Sequence, residues 1–105
     1  MKKVILKYEI TTLDPNKIFS IDYPKYSNVV KFNEQDGRLY LWIEASEVAY
    51  ESHDFVLRFT GKEYEEDNTY NYEYIDTVQC GPFVYHLYRV SPANRSYCAP
   101  SYLTN

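Results

Sequence analysis

The feature that most constrains this chain is a two-residue alternation of apolar and polar side chains. It recurs in seven short segments and nowhere gives way to a helical period of ten or more residues. Residues 2–10 open the series, with Val4, Leu6, Tyr8 and Ile10 set against Lys3, Lys7 and Glu9. A second strand is expected over 17–22, with Phe19 and Ile21 on one face and Pro24 ending it, because proline cannot donate to a ladder. A third, about 28–34, carries Val29, Val30 and Phe32. The fourth, 38–45, places Leu39, Leu41 and Ile43 on one face and Tyr40 and Trp42 on the other, which predicts a central position. In the fifth, 53–60, Phe55, Leu57 and Phe59 point inward and Arg58 outward. The sixth spans about 72–79 and the seventh 83–90.

The punctuation agrees with the alternation. Asp14-Pro15-Asn16 is turn chemistry. Asp36-Gly37 between alternating segments is a hairpin signal, and Cys80-Gly81-Pro82 predicts a second tight connection. Residues 46–52 are ambiguous and could form a helical turn; 62–71 read as a polar loop. The expectation is an all-β chain of about seven short, mainly antiparallel strands in a sandwich or partly open barrel. It forms one domain over 1–90, with an irregular C-terminal extension over 91–105.

Chemistry is sparse. His53, Cys80, His86 and Cys98 are not close-paired as zinc ligands usually are. Three glycines cannot build a phosphate cradle, and no nucleophile elbow is present. Neither an activated nucleophile nor a cofactor motif emerges, so the chain reads as a non-enzyme without cofactor. No apolar run approaches a membrane span, and Lys7 and Glu9 interrupt what would be a signal peptide. These readings place the chain in the cytoplasm with reduced thiols, a Cys80–Cys98 bridge being the alternative.

The segment with most content is acidic. The net charge is −4, but residues 63–88 hold no Lys or Arg and contribute −6, leaving the rest of the chain at +2. Its acids are Glu63, Glu65, Glu66, Asp67, Glu73 and Asp76, interleaved with Tyr64, Tyr70, Tyr72 and Tyr74. Carboxylates pair with Arg and Lys, and tyrosine adds rigid contact area that stacks under guanidinium groups. These ten residues are therefore the candidate partner-binding set, for a basic protein surface. A solvated loop followed by half-buried strand tyrosines is the simpler alternative. The negative net charge speaks against nucleic acid as a direct partner, and a homodimer stays open. A second aromatic set, Tyr23, Tyr26, Tyr40, Trp42 and Tyr50, could line a small-molecule pocket with Arg38, Arg58 or Arg89.

Five phrases occur together in order. They are Val-Ile-Leu-Lys-Tyr-Glu-Ile at 4–10, Leu-Trp-Ile-Glu at 41–44, Phe-Val-Leu-Arg-Phe-Thr-Gly at 55–61, Tyr-Ile-Asp-Thr-Val-Gln at 74–79 and Phe-Val-Tyr-His-Leu-Tyr at 83–88. The set resembles a family of short proteins of tailed bacteriophages and prophages, of uncharacterised function, over about residues 1–90. The Gly-Thr-Gly-like turn of that family is here Thr60-Gly61-Lys62. The resemblance implies a mobile-element origin and an intracellular setting, and carries over no catalytic residue. With the acidic segment, it leads to an expected inhibitor of a host defence protein, anti-CRISPR-like, acting on a basic nucleic-acid-binding surface or nuclease. The alternatives are a protein that sequesters a small nucleotide signal, or a minor virion or assembly component.

Overall fold

A computed structural model describes residues 2–46 and 48–93. It contains seven strands: β1 (Lys3–Ile10), β2 (Phe19–Pro24), β3 (Ser27–Gln35), β4 (Arg38–Ser46), β5 (Tyr50–Phe59), β6 (Tyr70–Cys80) and β7 (Phe83–Pro92). They form two sheets, β1-β4-β3 and β2-β5-β7-β6, and every pairing is antiparallel. The sheets pack as an open sandwich. The apolar phases of the strands meet between them: Ile10, Phe32, Leu39, Leu41 and Ile43 from one sheet, Tyr23, Phe55, Leu57, Val78, Tyr85 and Leu87 from the other.

The two turn signals hold in detail. At the β3–β4 hairpin, Asp36 and Gly37 take φ of 54° and 79°. Both central residues of a type I′ turn need positive φ, which Asp tolerates and Gly accepts freely. Cys80 pairs with Phe83, so Gly81-Pro82 is a two-residue turn, with Gly81 at φ 60°. Strand β4 is central in its sheet, as its two apolar faces predict.

Other expectations shift. No helical turn forms after Ser46 among the described residues; β5 begins at Tyr50 instead. Strand β2 covers Phe19–Pro24 rather than 17–22, and Pro24 ends it as expected, opposite Tyr50. That is tolerable because β2 is an edge strand. Strand β6 starts at Tyr70, earlier than expected, and β7 runs through the expected domain limit at 90 to Pro92. Residues 94–105 of the expected extension lie outside the described residues.

Two bulges reconcile an awkward apolar spacing. Val29 and Phe32 both pack on the core, which strict alternation forbids for residues three apart. The bulge between Val29 and Lys31 permits it and turns Val30 outward, where it is 52 % exposed. The bulge between Tyr74 and Asp76 does the same for Ile75 and Val78 on β6.

Candidate functional site

The sheet order determines the site. Strands β5 and β6 flank β7, and each is antiparallel to it, so they run parallel to each other. The chain leaves β5 at Phe59, opposite Tyr85, but enters β6 at Tyr70, opposite Pro92. Residues 60–69 must therefore travel back along the strands. They form a strap over the outer face of this sheet, pinned at its far end by Tyr70 N–H donating to the Asp67 carbonyl (3.0 Å) and Ala93 N–H to that of Thr69 (2.9 Å).

Beneath the strap lies Arg58. It points to the outer face, as alternation predicts, yet it is 3 % exposed rather than solvated. Its guanidinium carbon sits 3.8 Å from the ring centre of Tyr64, 4.6 Å from Tyr88 and 4.7 Å from Tyr72. Arg58 Nη1 donates to Glu66 Oε2 at 3.2 Å. Its buried Nε has no partner. The box is braced from outside: Asp67 N–H donates to the Tyr72 hydroxyl (3.1 Å), and Asp67 Oδ1 accepts from Thr69 N–H (2.9 Å) and Oγ1 (2.7 Å). Those two bonds, the backbone one foremost, hold the Asp67 carboxyl below its usual range.

The ten candidate partner-binding residues thus divide. Tyr64, Glu66 and Tyr72 surround a guanidinium of their own chain, Tyr70 stacks edge-on against Tyr72, and Asp67 shapes the strap. Glu73 faces Arg89 at 3.6 Å, and Arg89 in turn donates to the buried Tyr23 hydroxyl at 3.2 Å. Glu63 and Glu65 are exposed on the strap, and Asp76 on β6. Tyr74 is exposed, with its hydroxyl 2.6 Å from Thr77 Oγ1 and its ring edge-on to Tyr88.

His86 joins the same face, where the alternation of β7 sets it with Tyr88. Its Nε2 lies 2.6 Å from Thr60 Oγ1 and its Nδ1 2.8 Å from Thr77 Oγ1. Arg58, Lys62, Tyr64, His86 and Tyr88 line a cavity of about 490 Å³ at the strap's start. An outward Arg followed closely by a Tyr/Glu-dense loop was the one available signal for this box.

The second aromatic set is not brought together. Tyr23 is in the core, stacked 3.5 Å from the His53 ring. Tyr40 and Trp42 lie on the outer face of the other sheet, and Tyr26 and Tyr50 are separately exposed. Among the described residues no group of three or more His, Cys, Asp or Glu could hold a metal. Cys80 Sγ donates to the Gly37 carbonyl at 3.5 Å, while Cys98, and with it the Cys80–Cys98 pairing, lies outside them. No helix among the described residues is long and apolar enough to cross a membrane.

The outer face of the three-stranded sheet has the opposite character. One row across it reads Lys7, Trp42, Lys31. Lys7 Nζ lies 4.2 Å above the Tyr40 ring and 5.4 Å from that of Trp42, and Lys31 Nζ lies 5.7 Å from Trp42. Arg38 meets Glu9 at 3.7 Å at the edge of this face.

Fold and site together define a two-sheet β-sandwich domain that buries an arginine under an acidic strap. The chain belongs to a family described as a domain of unknown function, DUF7352, whose model matches residues 1–97. No curated protein and no solved structure matches it.

Proposed function

We propose that this chain is a non-catalytic binding module whose acidic, tyrosine-bearing surface engages a basic protein. The finer reading is a phage-type inhibitor of a host nucleic-acid-binding defence protein, anti-CRISPR-like and acting in the host cytoplasm. One observation carries it: Arg58 ties down the strap from below, so Glu63 and Glu65 project into solvent from an ordered segment. A surface ordered before binding loses less conformational freedom on association, and its uncompensated charges favour a cationic partner. The Arg58 box is also an internal instance of the chemistry required, three tyrosine rings and a carboxylate receiving one guanidinium.

The test must spare the residues that hold Arg58. Glu66 and Asp67 are structural, so the informative variant is Glu63→Lys/Glu65→Lys. The wild-type chain should retain a basic partner from a bacterial lysate at low salt and release it at high salt. The double variant should lose both capture and inhibition of the captured protein. Equal capture and inhibition by the variant would sink the reading.

The 490 Å³ cavity supports a second reading, a nucleotide held by Arg58 and Lys62 with its base against Tyr64 or Tyr88. Glu63 and Glu66 stand beside it and oppose a phosphate, which is why the protein partner leads. Calorimetric titration with cyclic nucleotides separates the two readings.

A further inference from the structure

We propose that the outer face of the β1-β4-β3 sheet is a binding site for single-stranded nucleic acid, with bases stacking on Trp42 and Tyr40 and phosphates meeting Lys7, Lys31 and Arg38. This does not rest on the protein-partner reading, which concerns the opposite sheet.

The register builds the site. Even-numbered residues of β4 face outward because Leu39, Leu41 and Ile43 face the core. Trp42 and Tyr40 are therefore neighbours on the outer side of the central strand, ring centres 5.9 Å apart. Pairing sets Lys7 on one side of Trp42 and Lys31 on the other. The same face carries Lys3 and Arg38, and its carboxylates are Glu9, paired with Arg38, and Glu44. Cations are in excess. The expectation that nucleic acid is no partner rested on net charge, an average over two sheets of opposite character.

Both rings are half-buried, and the ammonium groups close to them belong to the exposed Lys7 and Lys31. Exposed ammonium–ring contacts are weak and lysine stems are flexible, so the ammonium groups can move to phosphates and leave the rings to bases. The bond from Lys7 Nζ to Gln35 Oε1 is equally exposed and does not prevent this. Stacking is tolerant of sequence because every base has a π-face, but it needs unstacked bases. Unstacked bases belong to single strands rather than to a duplex, so the ligand is a single strand.

Trp42 is the sole tryptophan of the chain, so its emission reports on this face alone. The full chain should show saturable quenching by oligothymidylate or oligouridylate at low salt. Single-strand binding loses about 0.7 in log–log salt slope per neutralised phosphate, so the slope should be no steeper than about −3. Lys7→Ala/Lys31→Ala should flatten it by about 1.4 and weaken binding at least ~tenfold. By anisotropy of a labelled oligonucleotide, Trp42→Leu and, separately, Tyr40→Leu should each weaken binding about tenfold, provided circular dichroism shows the fold intact. Lys17→Ala, away from this sheet, should bind as the parent does.

Three outcomes overturn the proposal. One is no quenching at low salt. Another is equal quenching by dextran sulfate, which has charge without bases. The third is an emission change on concentrating the protein alone, with sedimentation showing self-association, which would mean that the acidic strap of a second copy covers this face.

Discussion

At Arg58 two contributions can be weighed against each other. The ion pair involves a Glu66 side chain that is 54 % exposed, so solvent screens it and it contributes well under ~1 kcal/mol. The guanidinium and its stem, by contrast, fill the space among three tyrosine rings. Glu66→Gln should therefore cost less than about 1 kcal/mol in urea unfolding, whereas Arg58→Ala, which opens a cavity under the strap, should cost about 3 kcal/mol. The alanine variant should also leave an empty ring cage. Methylguanidinium at non-denaturing concentration should then raise its melting temperature but not that of the parent. Equal losses for the two substitutions, with no rescue, would show that charge rather than ring contact holds the strap. Legibility at this scale was partial. Alternation gave Arg58 its outward face correctly, but nothing local to β5 reveals that a covering segment lies above it.

At the scale of elements, the hairpins rest on backbone conformation. Gly37 sits at φ 79° with open space around a hypothetical Cβ, so the effect of Gly37→Ala comes from φ alone. It should destabilise by about 1 kcal/mol in chemical denaturation without altering the fold. A neutral result would mean that the turn relaxes to another type. The strands themselves were readable because apolar side chains repeat every second residue and turns carry Asp-Gly or Gly-Pro. The bulges were not readable. Val29-Val30 and Tyr74-Ile75 each give two consecutive candidates for the core, and only the partner strand's register decides which one turns out. The start of β5 was missed for a related reason: Tyr50 and Glu51 join the strand because β2 pairs with them, not because of their own pattern.

For the whole molecule, the tyrosines link stability to pH. Burial, aided by the Tyr50 hydroxyl, pushes Tyr8 up to about 12, and burial also raises Tyr23 and Tyr85. In the unfolded chain these phenols ionise near 10, so between about pH 10 and 12 the folded state holds more protons. Stability from this source is complete below pH 10 and falls as pH rises through that window. Melting followed by circular dichroism should show a declining midpoint above pH 10, with a shallower decline in Tyr8→Phe. A midpoint flat to pH 11 would contradict it. The charge of the molecule is likewise a tertiary property. The −6 of residues 63–88 belongs to the strap and its sheet, while Lys3, Lys7, Lys31 and Arg38 collect on the other sheet's outer face.

The sequence by itself determined an all-β chain, the identity of the strands, the inward phase of most of them and both tight hairpins. Each depends on interactions within a few residues, and such interactions leave a periodic or turn-specific trace. The tertiary structure alone decided that β5 pairs with β7 rather than with β6. That non-local pairing leaves no local trace. It makes β5 and β6 parallel, obliges residues 60–69 to cross the sheet, and so turns Tyr64, Glu66 and Tyr72 from free surface groups into the lining of Arg58.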